Sequence, residues 1–78
     1  MSTVASDLQF VFGQRIRAER ERQGISQAEL ARRLDMHQPD LCDLEKGRHS
    51  ATLETVERIA IQLAVPPSTL LNSPQPTA

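Results

Sequence analysis

The chain is 78 residues long, enough for one domain around one small core. It has no Trp or Tyr and only two Phe, which removes the aromatic platforms on which single-stranded bases and RNA loops stack, so an RNA-binding module is not expected. Nine Lys and Arg against ten Asp and Glu give a net charge of −1, so the chain is no general coat for nucleic acid and any DNA contact has to be local.

The single cysteine, Cys42, leaves no partner for an internal disulfide, and the first residues lack the basic and then apolar run of a secretion signal. Charges interrupt every hydrophobic stretch before the roughly 18 residues that a membrane span needs. A cytoplasmic protein with no membrane association is expected. The basic residues fall in three groups: Arg15, Arg17, Arg20 and Arg22; Arg32 and Arg33; and Lys46 and Arg48 with His49. Each is either a DNA-facing cluster or a solvated helix face, and charge alone does not separate the two.

Residues 1–6 are expected to be a flexible N-terminus. Ser6-Asp7-Leu8-Gln9 reads as a capping box, and Leu8, Phe12 and Ile16 follow at four-residue spacing, so a first helix is predicted over residues 7–22 with that face inward. Gly24 supplies a left-handed cap, after which Ile25 folds back onto the helix it ends. Ser26-Gln27-Ala28-Glu29 is a second box, in which the serine caps a backbone N–H three residues on and the glutamate reaches back. Leu30, Ala31 and Leu34 make the inner stripe of a short helix over 27–34. Asp35 stands where the chain must turn sharply, and Asp tolerates a left-handed backbone better than most residues.

A third helix starts near Gln38 with Pro39 in its first turn, directs Leu41 and Leu44 inward and runs to Lys46, where Gly47 stops it. Thr52 caps a fourth helix, with Glu54 near the positive end of its dipole and Leu53, Val56, Ile59, Ala60 and Leu63 as its core stripe. Val65-Pro66-Pro67 ends that helix, and Ser68 caps one further turn carrying Leu70 and Leu71. The polar, Pro-rich residues 72–78 form a disordered tail. The expected fold class is all-α, five helices in one domain over residues 7–71, without strands or internal repeats.

Two short helices joined by a tight turn need a small residue where the second crosses the first, and Ala31 occupies that place. Asp35 at the turn, then Met36, Leu41 and Leu44, complete the spacing of a helix-turn-helix. Through Ile16-Arg17, Arg20, Gly24-Ile25-Ser26-Gln27, Leu30-Ala31, Leu34, Leu44-Glu45-Lys46-Gly47 and Thr52-Leu53, the chain resembles the Cro/phage-repressor (Xre-type) helix-turn-helix family over residues 8–71. The resemblance implies a compact five-helix, lambda-repressor-like domain and a non-enzymatic, sequence-specific regulator of transcription that binds double-stranded DNA.

By the same resemblance, Gln27 opens the helix that crosses the DNA backbone and binds a phosphate, in keeping with the N–H groups of a helix start. Gln38 stands where relatives place a base-reading side chain, and a carboxamide there suits adenine in the major groove. The Pro39 ring either touches a thymine methyl or only starts the helix. Asp40 and Asp43 depart from the family's neutral or basic pattern. They either accept from cytosine N4, gaining specificity by rejecting other bases, or serve the helix alone, Asp40 at its start and Asp43 paired with Lys46, the latter preferred for Asp43. Lys46, Arg48, His49 and Ser50 around Gly47 correspond to a second phosphate clamp, where a glycine lets backbone N–H groups approach the strand. Arg20 and Glu45 resemble a structural ion pair between the first and recognition helices.

His37, Cys42 and His49 lack the spacing of a metal site, and Cys42 takes a position where relatives often have Ser; no metal or other cofactor is expected. Nor do a nucleophile, a base and an orienting group occur together, so no catalysis is expected. A homodimer is expected, because one module this small covers too little DNA to hold a site alone, and Ile61, Leu70 and Leu71 are left for the interface. Restriction-modification controller proteins are similar in length and layout. Xre-type antitoxins are similar too, around Gln38-Pro39-Asp40-Leu41 and Thr52-Leu53-Glu54-Thr55, and imply a toxin partner as the alternative.

Overall fold

A computed structural model of the chain describes residues 4–71, with side chains from Leu8 onward. Five helices follow one another: α1 (Val4–Arg22), α2 (Gln27–Leu34), α3 (Gln38–Glu45), α4 (Leu53–Leu63) and α5 (Pro67–Leu71), with no strand among the described residues. The chain is all-α, as expected. α1 lies against α3 and α5, while α2 packs on α3 and α4. The core between them is Phe12, Ile16, Leu30, Ala31, Leu34, Leu41, Leu44, Val56, Ile59, Ala60, Leu63 and Leu70.

Local chemistry sets most of the boundaries. The Ser26 hydroxyl accepts the Glu29 backbone N–H at 3.0 Å and the Thr52 hydroxyl accepts that of Thr55 at 3.2 Å, so α2 and α4 begin where their caps stand. Gly24 (φ 72°) and Asp35 (φ 56°) take the left-handed conformation at the ends of α1 and α2. From Asp35 the chain reverses, the Met36 N–H donates to the Ala31 carbonyl at 2.9 Å, and α3 starts three residues after the turn with Pro39 in its first turn. Ala31 is buried at this crossing, where a larger side chain would hold the two helices apart.

Several expectations are corrected. α1 begins at Val4 rather than residue 7, so Ser6 lies within the helix and residues 4–6 are part of it; Ala5 is a strong helix former and nothing before Ser6 breaks the run. The expected flexible residues 1–3 and the tail 72–78 lie outside the described residues. The Glu29 carboxylate does not reach back to Ser26 but turns outward to Arg32 and Arg33, whose guanidinium groups compete better for it than one backbone N–H. α5 starts at Pro67, with Ser68 inside it, because the first turn tolerates proline.

Burial is also redistributed. Leu8 is exposed, and Leu53, at the first position of α4, is 83% exposed; both line an open apolar groove with Leu71 instead of joining the core. Leu70 is 0% exposed, since the single turn of α5 folds it under α1 and α4, so it does not belong to a free surface. A feature with no sequence signal of its own is the cap of α4, where Ala64 takes φ 57° and its N–H donates to the last turn of the helix.

Candidate nucleic-acid interface

The orientation of α3 is set by an unusually close approach to α1. A Cβ on Gly13 would collide with the Leu44 carbonyl oxygen and lie 2.6 Å from that of Glu45, so only glycine lets the two helices meet here. Gly47 combines φ 75° with a position where a Cβ would sit 2.9 Å from Phe10 Cα. The requirement for glycine there is thus internal, a left-handed turn pressed on α1, rather than freedom to approach a DNA strand.

Between these anchors lies a connected set of polar side chains. The buried Arg20 donates from Nε to Glu45 Oε2 at 2.7 Å and from Nη2 to Glu45 Oε1 at 3.0 Å, while its Nη1 holds the Ile25 carbonyl at 3.0 Å. The hydrogen bonds from the carboxylate raise the affinity of the Arg20 guanidinium for its proton against the opposing effect of burial. This is the pair that the family resemblance implies, and it joins α1 to the end of α3. Glu45 Oε1 also accepts Gln27 Nε2 at 3.1 Å, and Gln27 Oε1 accepts Gln38 Nε2 at 3.2 Å. Gln27 and Gln38 are therefore neighbours on one surface, backed by the buried pair.

Gln38, Pro39 and Asp40 are all exposed at the start of α3, as a reading surface requires. Asp43 is half-buried, and its expected ion pair with Lys46 is not formed. Its backbone carbonyl instead accepts the Arg48 N–H at 2.9 Å, closing the turn after α3. Cys42 is half-buried in a recess of about 280 Å³ with Arg17, Gln27 and Lys46.

Ion pairing separates the three basic groups that sequence left equivalent. Arg15 and Arg22 pair with Glu19, Arg17 with Glu21, Arg20 with Glu45, and Arg32 and Arg33 with Glu29. Arg58 donates to the Leu34 carbonyl, tying α4 to the end of α2. Among the described residues, Lys46 and Arg48 have no carboxylate partner, and they stand exposed with His49 and Ser50 after α3. Positive charge without a carboxylate partner thus gathers just past the C-terminal end of α3, at the opposite end of that helix from the exposed Gln38-Pro39-Asp40 edge, on a chain of net charge −1. Ser50 is itself positioned, because Gln9 Nε2 donates to its hydroxyl at 2.6 Å. The expected role of Gln9 in a capping box is replaced by this contact, because α1 already runs through Ser6; a partner 41 residues away leaves no periodic signal in the sequence.

No His, Cys, Asp or Glu cluster suited to a metal ion occurs among the described residues, and no helix there is long and apolar enough to cross a membrane.

The comparisons with known proteins agree with this geometry. A family model described as a helix-turn-helix domain matches residues 11–71. The chain is 31% identical over 70 residues to control protein C.BamHI of Bacillus amyloliquefaciens, covering 88% of this chain and 86% of that protein. Among solved structures, it superposes with a TM-score of 0.84 and 31% identity on the hypothetical transcription factor NHTF from Neisseria, covering 96% of this chain and 86% of the other. The restriction-modification controller protein C.AhdI from Aeromonas hydrophila gives a TM-score of 0.76 and 31% identity over 82% of this chain and 96% of its own. These relatives are named as a control protein, a hypothetical transcription factor and a restriction-modification controller protein. The chain belongs to the helix-turn-helix domain family, in its Cro/phage-repressor (Xre) branch.

Proposed function

We propose that the chain is a controller-type transcription regulator that binds a palindromic operator as a homodimer, with α3 in the major groove. The observation that carries this reading is the pairing of an exposed Gln38-Pro39-Asp40 edge with the unpartnered cations Lys46 and Arg48 at the other end of the same helix. Gln38 reads a base and Asp40 rejects bases that cannot donate to it, while Gln27, Lys46, Arg48, His49 and Ser50 hold phosphates. The two aspartates of α3, the exposed Asp40 and the half-buried Asp43, place negative charge near an anionic duplex, so they lower general affinity and leave binding dependent on the right sequence. Pro39 starts α3 and offers its ring to a thymine methyl.

Dimerisation is supported by exposed apolar side chains away from the reading edge. Leu53 and Ile61 lie eight residues apart on one flank of α4, 83% and 67% exposed, and Leu71 adjoins Leu53 across an open groove. A two-fold axis through such a patch sets two recognition helices about 34–36 Å apart, in successive major grooves. Similarity to two proteins named as controllers supports the regulatory role. Selection of bound duplexes from a random pool tests the proposal. The expected product is an inverted repeat with half-sites about one helical turn apart; recovery of unrelated sequences, or of a lone half-site, contradicts it.

A further inference from the structure

The polar path from Arg20 to Gln38 has a direction, and the direction bears on which base is read. A guanidinium can only donate, and the carboxylate it grips can only accept. Glu45 therefore takes the amide nitrogen of Gln27, at 3.1 Å, and never its oxygen. With its nitrogen committed, Gln27 presents its oxygen to the neighbouring carboxamide, which must answer with Nε2, at 3.2 Å. Gln38 then keeps one N–H and a free carbonyl oxygen on its exposed end. One donor beside one acceptor matches the N7 acceptor and N6 donor of adenine. If the path ran the other way, Gln38 would accept from Gln27 and keep two N–H donors, which match the O6 and N7 acceptors of guanine.

We propose that Glu45, acting through Gln27, fixes which atoms Gln38 presents and so is a positioning residue for adenine over guanine. This rests on the reading that Gln38 contacts a base. The buried end holds its polarity because Arg20 and Glu45 are nearly shut off from water, their side chains 10% and 4% exposed, so no solvent molecule need reverse it. The exposed end alone has no such preference, since a solvated carboxamide rotates freely between its two orientations. A charge that touches no nucleic acid thereby selects between two purines at the surface.

The test is the base preference of the full chain, read by selecting duplexes from a randomised pool with four proteins: the unmodified chain, Gln38→Ala, Glu45→Gln and Gln27→Leu. Gln38→Ala identifies the position that Gln38 reads, and if no position relaxes, the base-reading role falls and the inference with it. Given such a position, Glu45→Gln is expected to lower the adenine-to-guanine ratio there by about tenfold or more, with the other positions unchanged. Gln27→Leu leaves the Arg20–Glu45 pair in place, so it decides the matter if Glu45→Gln does not fold. It should lower the same ratio while weakening binding to all duplexes through the lost phosphate contact. An adenine preference retained in Gln27→Leu, or relaxation spread evenly over every position in Glu45→Gln, overturns the proposal; the second result is what mere loosening of α3 would give.

Discussion

Arg20 and Glu45 meet edge to edge in the interior, Nε on Oε2 at 2.7 Å and Nη2 on Oε1 at 3.0 Å, and they join residues 25 positions apart. Such a pair is costly to break and less costly to replace, because removal of one partner strands the other charge away from water. Arg20→Met should lower unfolding free energy by about 3–5 kcal/mol, whereas Arg20→Met with Glu45→Leu should recover most of that loss. Urea denaturation measures both. A double variant no more stable than the single one would show that the pair's worth lies elsewhere than in mutual neutralisation.

The glycines separate close packing from backbone conformation. Gly13 is helical, so alanine there should help by about 1 kcal/mol on propensity alone. The collision of its Cβ with the carbonyls of Leu44 and Glu45 instead predicts a loss of about 1–3 kcal/mol and weakened DNA binding as α3 shifts. Gly24→Ala, at φ 72° with open space around it, should cost about 1–2 kcal/mol and leave binding unchanged. Thermal melts of the two variants decide, and a Gly13→Ala protein more stable than the parent contradicts the packing described.

Glu29 accepts from Arg32 and Arg33, and these hydrogen bonds lower its carboxyl from the usual 4.5 to about 2. A carboxyl with a depressed folded-state value contributes its stability above the unfolded-state value and loses it as pH falls through the folded one. The contribution is therefore complete above pH 4.5 and gone near pH 2. Glu29→Gln should remove part of the acid sensitivity in that window. Denaturation curves from pH 6 to pH 2 should show the gap between the two proteins closing as pH falls; a gap independent of pH would contradict this.

The apolar patch makes a different prediction from the core beneath it. Ile61→Gln with Leu71→Gln should leave helicity intact, halve the mass in solution and reduce operator affinity. Leu70→Ala acts on the monomer and should cost about 2–5 kcal/mol of stability. Sedimentation distinguishes them. An unmodified chain that stays monomeric at tens of micromolar is incompatible with the proposed dimer.

What could be read from sequence was what depends on near neighbours. The limits of α2, the Thr52 cap, the left-handed Asp35 and the inward Leu41 and Leu44 follow from residues within one or two turns of each other. Contacts between distant segments left little local trace. Gly13 looks like an ordinary helical glycine until α3 is laid on it, and Gln23, whose side chain donates to the Leu63 carbonyl at 2.7 Å, looks like a surface residue. Leu53 and Leu70 were misplaced because each lies at an end of the apolar pattern, where periodicity does not say which side the next helix covers. The Arg20–Glu45 pair was legible only through family resemblance, and the Gln27–Gln38 contact not at all.

The reading role of α3 and the clamping role of the turn behind it are separated most directly by titrating Gln38→Ala and Arg48→Ala against the selected operator and a scrambled duplex over a range of salt. Gln38→Ala should lose about 1–3 kcal/mol on the operator, nothing on the scrambled duplex, and keep the salt dependence of the parent. Arg48→Ala should weaken both duplexes alike and lower the salt slope by about 1. Equal losses on both duplexes for Gln38→Ala would contradict the account at its centre, because the exposed edge of α3 would then hold DNA without reading it.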